Sequence, residues 1–139
     1  MKQKPPEEIG IQAIKERILD ESPKIKLGHC FDFFNALDEF VLIKDASLRY
    51  IFINDALSAF FGIKKEEILG KTDFELMSKE GAKECQKSDD EVLQSKKSVI
   101  SQEHMGEKTF QTKKFPLKLD SNKYGLGALI TDITEKTEA

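Results

Sequence analysis

The sequence is poor in the residues that mark membrane, disulfide-rich and metal-binding proteins. Its 139 residues include no tryptophan, two cysteines and two histidines. Cys30 and Cys85 are too few for a disulfide framework and lack metal-ligand spacing, so they favour a reducing compartment. No stretch approaches the ~18 consecutive apolar residues of a membrane span, and the N-terminus has no apolar signal core. We therefore expect a cytoplasmic fragment that does not itself contact a membrane, which leaves open an anchor elsewhere in the parent chain.

The charges are nearly balanced, with a net charge of −3 and 34% charged residues. The lysine pairs Lys64-Lys65, Lys96-Lys97 and Lys113-Lys114 each lie close to acidic residues, which predicts solvated surface charge and no basic face. A nucleic-acid partner is therefore not expected. With 39% hydrophobic residues, the chain suits one domain with a single core and an appendage.

Motifs for catalysis are missing from the sequence. Gly70-Lys71-Thr72 resembles the end of a phosphate-binding loop, but that motif needs a glycine at position 65, which is lysine. There is no His-Glu-x-x-His zinc motif and no Gly-x-Ser-x-Gly nucleophile motif. Asp89 and Asp90 are neighbours on a predicted helix and point about 100° apart, so they cannot share a proton. We therefore expect this fragment not to be catalytic.

Residues 1–28 are predicted to form an amphipathic helix and a linker. Pro5 to Glu8 suit the first turn of a helix, because proline is tolerated there and carboxylates favour the positive end of the dipole. Ile11, Ile14 and Ile18 follow at helical spacing and form one narrow stripe, and Pro23 ends the segment. Such a stripe either packs on the domain or pairs with its twin in a homodimer, and we favour the homodimer.

The rest of the chain predicts two strands, several short helices and then three strands. Strands at 40–45 and 49–54 form a hairpin, with Tyr50 and Phe52 on one face and Ile51 and Ile53 on the other. Asn54 caps a helix that Gly62 stops. The further predicted elements are a short helix at 65–69, a one-turn helix with a capping box at Thr72–Glu75, a long helix from Ser78 to about Lys96, and strands at 98–105, 108–119 and 124–134. This order predicts an α+β fold, a five-stranded antiparallel sheet with the helices on one face and an N-terminal helical extension.

The final strand is expected in the middle of the sheet. Leu126, Ala128 and Ile130 alternate with Gly127 and Leu129, so that both faces carry apolar groups, as in a strand packed on two sides. The strand stops in the polar segment Asp132-Ile133-Thr134. Residues 135–139 then read as the start of a linker helix to an absent output domain.

Over residues 29–134 the sequence resembles a PAS domain, the sensor module of bacterial and archaeal signalling proteins. The resemblance rests on motifs in order along the chain: Ile43-Lys44-Asp45 with Tyr50-Ile-Phe-Ile-Asn54, Phe61-Gly62, Glu66-Glu-Ile-Leu-Gly-Lys-Thr72, Phe115-Pro-Leu117, Gly125-Leu-Gly-Ala128 and Asp132-Ile-Thr134. It implies a sheet cupped by helices, a ligand between the sheet and the long helix, and a signal that leaves through the Asp-Ile-Thr exit. It also implies dimerisation through a preceding helix, and an output domain that is often a histidine kinase or a cyclic-dinucleotide enzyme.

The resemblance disfavours haem and flavin as cofactors, and it does not identify a ligand. Haem-binding members carry a histidine on the long helix, and residues 79–96 contain none. Flavin-binding members carry a cysteine in an Asn-Cys-Arg-Phe-Leu motif, which does not occur. His29 and His104 are predicted to be surface or sheet-packed residues, and Cys85 a small buried thiol.

Asp89 interrupts the apolar face of the long helix formed by Ala82, Cys85 and Val92. Either it faces the core with a partner, or a small rotation puts Ser88 inward and Asp89 in water. In the first case we expect Cys85, Asp89 and Val92 to line a pocket opposite sheet residues. Those sheet residues are Phe110 and either Leu126 or Leu129.

Two functions of different class fit the sequence. The first is a sensory module that binds a small molecule and biases a two-state exit at Asp132 to Thr134, most simply in a sensor histidine kinase and alternatively in a diguanylate cyclase or another output protein. The second is a ligand-free dimerisation module whose pocket is filled by Phe60, Phe61 and Phe74.

Overall fold

The computed structural model describes residues 26–120 and 122–134, apart from the side chains of Leu27 and Met105. The Ile11, Ile14 and Ile18 stripe and the linker at 135–139 lie outside these residues. The helices are α1 Leu27–Asn35, α2 Asp55–Phe61, α3 Lys65–Ile68, α4 Asp73–Leu76 and α5 Lys79–Ser95. The strands are β1 Phe40–Lys44, β2 Tyr50–Ile53, β3 Val99–Met105, β4 Lys108–Asp120 and β5 Lys123–Asp132.

The five strands form one antiparallel sheet in the order β2-β1-β5-β4-β3. The last strand in sequence, β5, therefore lies in the middle, and the predicted central strand and α+β class are confirmed. On one face of the sheet, α5 packs against β3, β4 and β5. Leu126 and Ala128 of β5 are buried in the core on the helix side with Leu42 of β1 and Val92 of α5.

The hairpin of β1 and β2 departs from the predicted alternation. Lys44 pairs with Tyr50 and Ile43 pairs with Phe52, so Ile51 is an extra residue at a bulge. As a result Tyr50 and Ile53 are both buried, whereas Ile51 is 46% exposed. The prediction that Tyr50 shares a face with Phe52 and not with Ile53 is wrong, because a bulge resets the two-residue period of a strand.

Pro116 lies where a residue without an N–H group is tolerated. It is opposite Leu126 of β5, whereas the pairing of β3 with β4 extends no further than Lys114 among the described residues. On the β3 side, Pro116 therefore has no strand partner that would need an N–H donor from it.

Asn54 joins three segments at the start of α2. Its Oδ1 atom accepts hydrogen bonds from the amides of Leu57 at 3.2 Å and Val41 at 3.1 Å. Its Nδ2 group donates to the carbonyls of Phe34 at 2.9 Å and Glu39 at 2.8 Å. The side chain is fully buried with all four of these bonds made, which confirms the predicted cap and explains why an amide is required.

The remaining helix ends follow local sequence signals. Glu75 closes the predicted capping box by accepting from the Thr72 amide at 3.3 Å, and Ser78 caps α5 by accepting from Gly81. Gly62 ends α2 in the left-handed conformation at φ 68°. The long helix is thereby held across the sheet, with Ala82, Asp89 and Val92 buried.

The substitution Gly125→Ala tests the close approach of β5 to β1. A Cβ atom at residue 125 would collide with the backbone carbonyl oxygen of Lys44 and lie 2.5 Å from the Leu119 Cδ1 atom. Because a strand backbone cannot move aside cheaply, we expect a loss of roughly 1–3 kcal/mol or more in the free energy of unfolding, measured by urea denaturation.

Gly28→Ala is the matched control, because a Cβ atom there has no neighbour within 4 Å and the residue is helical. It should leave stability unchanged or raise it by up to about 1 kcal/mol. Equal stability of the Gly125 variant and the wild type would contradict the packing described for β5.

Candidate functional site

A cavity of about 50 Å³ lies between the helices and the sheet. Residues of all five strands and of α2, α4 and α5 line the cavity. The β3 residue in the lining is the polar Glu103. Its lining residues are Phe40, Leu42, Lys44, Tyr50, Leu57, Phe60, Phe61, Asp73, Met77, Cys85, Asp89, Glu103, Phe110, Lys114, Ala128 and Ile130.

The apolar wall is built from aromatic rings that contact each other. The ring centroids of Phe40 and Phe60 are 5.0 Å apart, those of Phe60 and Phe110 are 5.5 Å apart, and those of Phe40 and Phe110 are 5.7 Å apart. Phe61 adds an edge contact to the Tyr50 ring at 6.5 Å. These rings fill much of the space beneath the helices, which accounts for the small size of the cavity.

The opposite end of the cavity is a buried charge cluster centred on Asp89. The Asp89 carboxylate is 2.7 Å from the Lys44 ammonium group through Oδ2 and 2.9 Å from the Lys114 ammonium group through Oδ1. Lys44 also bonds Asp73 Oδ2 at 2.5 Å, and the Tyr50 hydroxyl donates to Asp73 Oδ1 at 2.5 Å. Residue Asp89 is 0% exposed, so each of these contacts forms away from bulk water.

Lys114 has further partners on α5 and β3. Its ammonium group donates to Ser88 Oγ at 2.5 Å and to the Cys85 carbonyl at 3.3 Å, and it lies 3.5 Å from Glu103. The cluster therefore ties β1, β4, α4 and α5 together, with Glu103 of β3 at its margin.

Strand alternation brings the lysines to the cavity. Leu42 and Lys44 are two residues apart on β1, and Thr112 and Lys114 are two residues apart on β4, so each lysine follows a buried residue on the same face. On α5, the spacing of four between Cys85 and Asp89 puts both side chains on the sheet side.

Both lysines stay charged in spite of burial. Burial by itself would lower the pKa of Lys44, but the Asp89 and Asp73 carboxylates outweigh it and raise that pKa above its ordinary value. The pKa of Lys114 is raised in the same way, with burial opposed by Asp89 and Glu103. A raised lysine pKa stabilises the fold at pH values below the ordinary lysine pKa, and this stabilisation is lost as the pH rises through the raised value. Lys44 and Lys114 are therefore ammonium groups throughout the neutral range.

One acceptor in the cluster is incompletely satisfied. Among the described residues, no donor makes an aligned hydrogen bond to Asp89 Oδ1, although Lys114 lies at ion-pair distance from it. The ammonium group of Lys114 also donates to Ser88 and to the Cys85 carbonyl. A buried carboxylate oxygen beside a cavity thus keeps capacity for a further donor.

Some of the residues that the sequence suggested for the pocket line the cavity, and others do not. Phe60, Cys85, Asp89 and Phe110 line the cavity, and Asp89 faces inward with Ser88 beside Lys114. Val92 and Leu126 are fully buried in the adjoining core but outside the cavity lining. Two further residues lie elsewhere. Phe74 is 44% exposed and borders a different depression, and Leu129 borders a depression on the other face of the sheet, because it alternates with Ala128 and Ile130.

Sequence reasoning missed most of the polar end of the cavity, namely Lys44, Tyr50, Asp73 and Lys114. The prediction of a solvated Lys113-Lys114 pair is wrong for Lys114, which is 4% exposed, whereas Lys113 is exposed on the opposite face. The available signal was the position of each lysine on the buried face of a strand. Lys44 ends an otherwise apolar strand, and Lys114 continues the face of Phe110 and Thr112.

The segment at the end of β5 is anchored to the start of β4. The Ile133 amide donates to the Thr109 carbonyl at 2.9 Å, and the Thr109 amide donates to Thr134 Oγ1 at 3.0 Å. Asp132 accepts from the Thr134 hydroxyl at 2.6 Å and from the Thr134 amide at 2.9 Å. These bonds, with a weaker contribution from Lys108, lower the pKa of Asp132. Asp132, Ile133 and Thr134 therefore form one hydrogen-bonded unit with Thr109.

His29 on α1 and His104 on β3 are both exposed. Within residues 26–120 and 122–134, no group of three or more histidine, cysteine or acidic side chains has metal-site geometry. In the same part of the chain, no helix has the length and apolar character needed to cross a bilayer.

The sequence matches the family model described as "PAS fold" over residues 34–138. A curated relative from Oryza sativa subsp. indica, named "Probable histidine kinase 1", is 34% identical over 99 residues. The alignment covers 67% of this chain and 10% of the relative, so the chain spans about a tenth of that protein's length.

Two solved structures share the fold. The PAS domain of histidine kinase ThkA superposes with a TM-score of 0.58 at 23% identity, covering 68% of this chain and 99% of that one. VqmA of Vibrio cholerae, solved in complex with a ligand and DNA, superposes with a TM-score of 0.67 at 24% identity, covering 81% of this chain and 54% of that one. At these identities, the structures support the architecture alone.

We expect Asp89→Asn to destabilise the protein strongly. The substitution removes the charge that compensates Lys44 and Lys114 in a buried setting, and breaking such a pair typically costs about 3–5 kcal/mol. Urea denaturation at pH 7 measures the difference. Asp90→Asn, at the half-buried neighbouring position, is the control and should change stability by no more than about 0.5 kcal/mol. Similar effects of the two substitutions would contradict the assignment of Asp89 to the charge cluster.

The two cysteines should differ in reactivity. Burial, with the Asp73 and Glu103 carboxylates, raises the pKa of Cys85 to about 12, so its thiolate fraction at pH 8 is on the order of 10⁻⁴. Cys30 is exposed. Brief treatment with iodoacetamide, followed by peptide mass spectrometry, should label Cys30 and leave Cys85 largely unmodified. In urea both should react, and equal labelling in the folded protein would show that Cys85 is not held in the cavity wall.

Proposed function

Because the chain belongs to the PAS-fold family, we propose that it is the sensory module of a signalling protein, which binds a small molecule in the cavity and relays its presence through Asp132, Ile133 and Thr134. The family match covers residues 34–138 and supports a sensory, non-catalytic role for the module.

The observation that carries the proposal is the buried charge cluster at one end of an apolar cavity. Burying ion pairs costs desolvation free energy, and well-packed apolar side chains would fill the same space at equal or greater stability. The ionic contacts join four elements, so a ligand that alters one contact changes the balance among α4, α5, β1 and β4. A network of this kind has discrete alternative pairings, which a two-state sensor requires.

A short path joins the cavity to the exit. Phe110 lines the cavity, and its neighbour Thr109 bonds both Ile133 and Thr134. A ligand that displaces the Phe110 ring would therefore shift the strand residue that holds the exit. Rearrangement of the hydrogen bonds of Thr134 would then change the direction in which the chain leaves the sheet.

The size of the cavity limits the ligand. A volume of about 50 Å³ is far below the several hundred Å³ typical of sites for drug-sized ligands. We therefore propose a ligand much smaller than haem or flavin. This agrees with the lack of a histidine in residues 79–96 and of a flavin-type cysteine motif.

For the parent protein we propose a sensor histidine kinase. The support is the curated relative, named as a histidine kinase, of which this chain resembles about a tenth. A diguanylate cyclase or another output protein is the alternative. In either case the output domain would follow residue 139, and the parent would be a cytoplasmic or membrane-anchored homodimer that pairs through Ile11, Ile14 and Ile18.

A ligand-free dimerisation module is the second candidate function. It is favoured by one observation, the contact of the Phe40, Phe60 and Phe110 rings, which leaves a cavity of only about 50 Å³. Phe61 also lines this cavity, whereas Phe74, the third residue expected to fill it, lies elsewhere.

Native mass spectrometry of protein purified from cells distinguishes these two functions. For the sensory module, we expect a dimer that carries a small molecule in stoichiometric amount, which is released on denaturation. Phe60→Trp, which would fill the cavity, serves as the matched variant and should reduce the bound fraction without dissociating the dimer. A dimer of bare polypeptide mass, in both the wild type and the variant, would favour the ligand-free module.

A further inference from the structure

We infer that the cavity takes a ligand of few non-hydrogen atoms that presents a hydrogen-bond donor, either a hydroxyl or an ammonium group, to Asp89. The inference rests on the proposed function and specifies the ligand chemistry of the same cavity. It follows from the geometry of Asp89, the sum of charges around it and the apolar wall opposite.

Asp89 is the one cluster residue with a buried atom that lacks an aligned donor among the described residues. Its side chain is 1% exposed and lines the cavity, and its Oδ2 atom is bonded to Lys44 at 2.7 Å. Oδ1 has only the ion-pair contact with Lys114 at 2.9 Å. A ligand donor at Oδ1 would complete the hydrogen bonding of this carboxylate without displacing the contact with Lys44.

The charges favour a donor and disfavour an anion. The two ammonium groups of Lys44 and Lys114 face three carboxylates, those of Asp73, Asp89 and Glu103. The polar end therefore carries one excess negative charge. A neutral hydroxyl adds no charge, an ammonium group neutralises the excess, and a carboxylate would add a second negative charge in a place removed from water.

The rest of the cavity suits small apolar groups. Phe60, Phe110 and Ile130 line it and offer ring and methyl surfaces for a ligand's carbon atoms. An aromatic face also attracts a cation, so an ammonium ligand would gain from the rings as well as from Asp89. A molecule with one donor group and two or three carbon atoms matches both ends.

Four small molecules of nearly equal size and shape test this chemistry. Propan-2-ol is a neutral donor, isopropylammonium a charged donor, acetone an acceptor without a donor, and acetate an anion. Each is titrated into the wild-type protein, and the affinity is read from the NMR shifts of residues that line the cavity. We expect propan-2-ol and isopropylammonium to bind at least about tenfold more tightly than acetone, since a hydrogen bond to a charged acceptor contributes this much, and acetate to bind more weakly than either donor.

Lys114→Met is the informative variant, because it removes the charge that Oδ1 now contacts. It should tighten the binding of isopropylammonium at least about tenfold and leave that of acetone unchanged. Lys113→Met, on the exposed side of the same strand, is the matched control and should bind all four probes as the wild type does. If Lys114→Met fails to fold, the four-probe comparison in the wild type still decides the inference.

The outcomes separate this inference from the function on which it rests. Tighter binding of acetate or acetone than of the donors, with shifts in the same cavity residues, would overturn the donor chemistry and retain a ligand-binding cavity. Equal effects of the Lys113 and Lys114 variants would also overturn it. If none of the four probes changes the NMR shifts of the residues that line the cavity, the donor chemistry is also overturned. The native mass spectrum would then show whether the sensory function fails as well.

Discussion

A buried carboxylate that must keep its charge compensated constrains the arrangement of this domain. Asp89 lies on the long helix, and its two lysine partners come from β1 and β4, which lie on either side of the central strand. The helix can therefore sit on the sheet in only one rotation and one height. A rotation that exposed Asp89 would leave both lysines without their main partner in an environment where an unpaired charge is costly.

The charge cluster lies at one end of the cavity, and the aromatic rings lie at the other. The aromatic rings fill one end of the space through close packing, which depends on shape. At the other end, the contacts depend on charge and direction, and both lysines contact more than one acceptor. Lys114, for example, is within reach of Asp89, Glu103 and Ser88. Shape therefore determines the contacts at one end of the cavity, and charge determines them at the other.

The sequence predicted the parts of the fold that depend on neighbouring residues. The cap at Asn54, the capping box at Thr72 and the glycine that ends α2 are local hydrogen-bonding or backbone signals, and each was found where expected. The central position of β5 followed from apolar residues on both of its faces. The bulge in the first hairpin was missed, because Ile51 has the same propensity as its neighbours and nothing local marks it as the extra residue.

The site was less predictable, because its contacts span long separations. Lys44 and Asp89 are 45 residues apart, and neither residue identifies the other. A lysine next to another lysine is usually solvated, so Lys114 could be recognised only after the face of β4 was known. The face on which Leu129 lies could not be predicted either. Both faces of this central strand are apolar in sequence, and nothing in the strand itself indicates which face the helices cover.

Asn54 has a consequence for the chemical durability of the molecule. Its amide nitrogen faces two carbonyl oxygens and its amide oxygen faces two N–H groups, in full burial. Deamidation, the ordinary ageing reaction of asparagine, would replace the nitrogen by an oxygen that repels both carbonyls. In the folded state, four hydrogen bonds hold the Asn54 side chain, and the Asp55 amide nitrogen that would attack it donates to Asn35 Oδ1 at 2.9 Å. A chain that spends longer unfolded would age at this position, and once altered it would refold poorly.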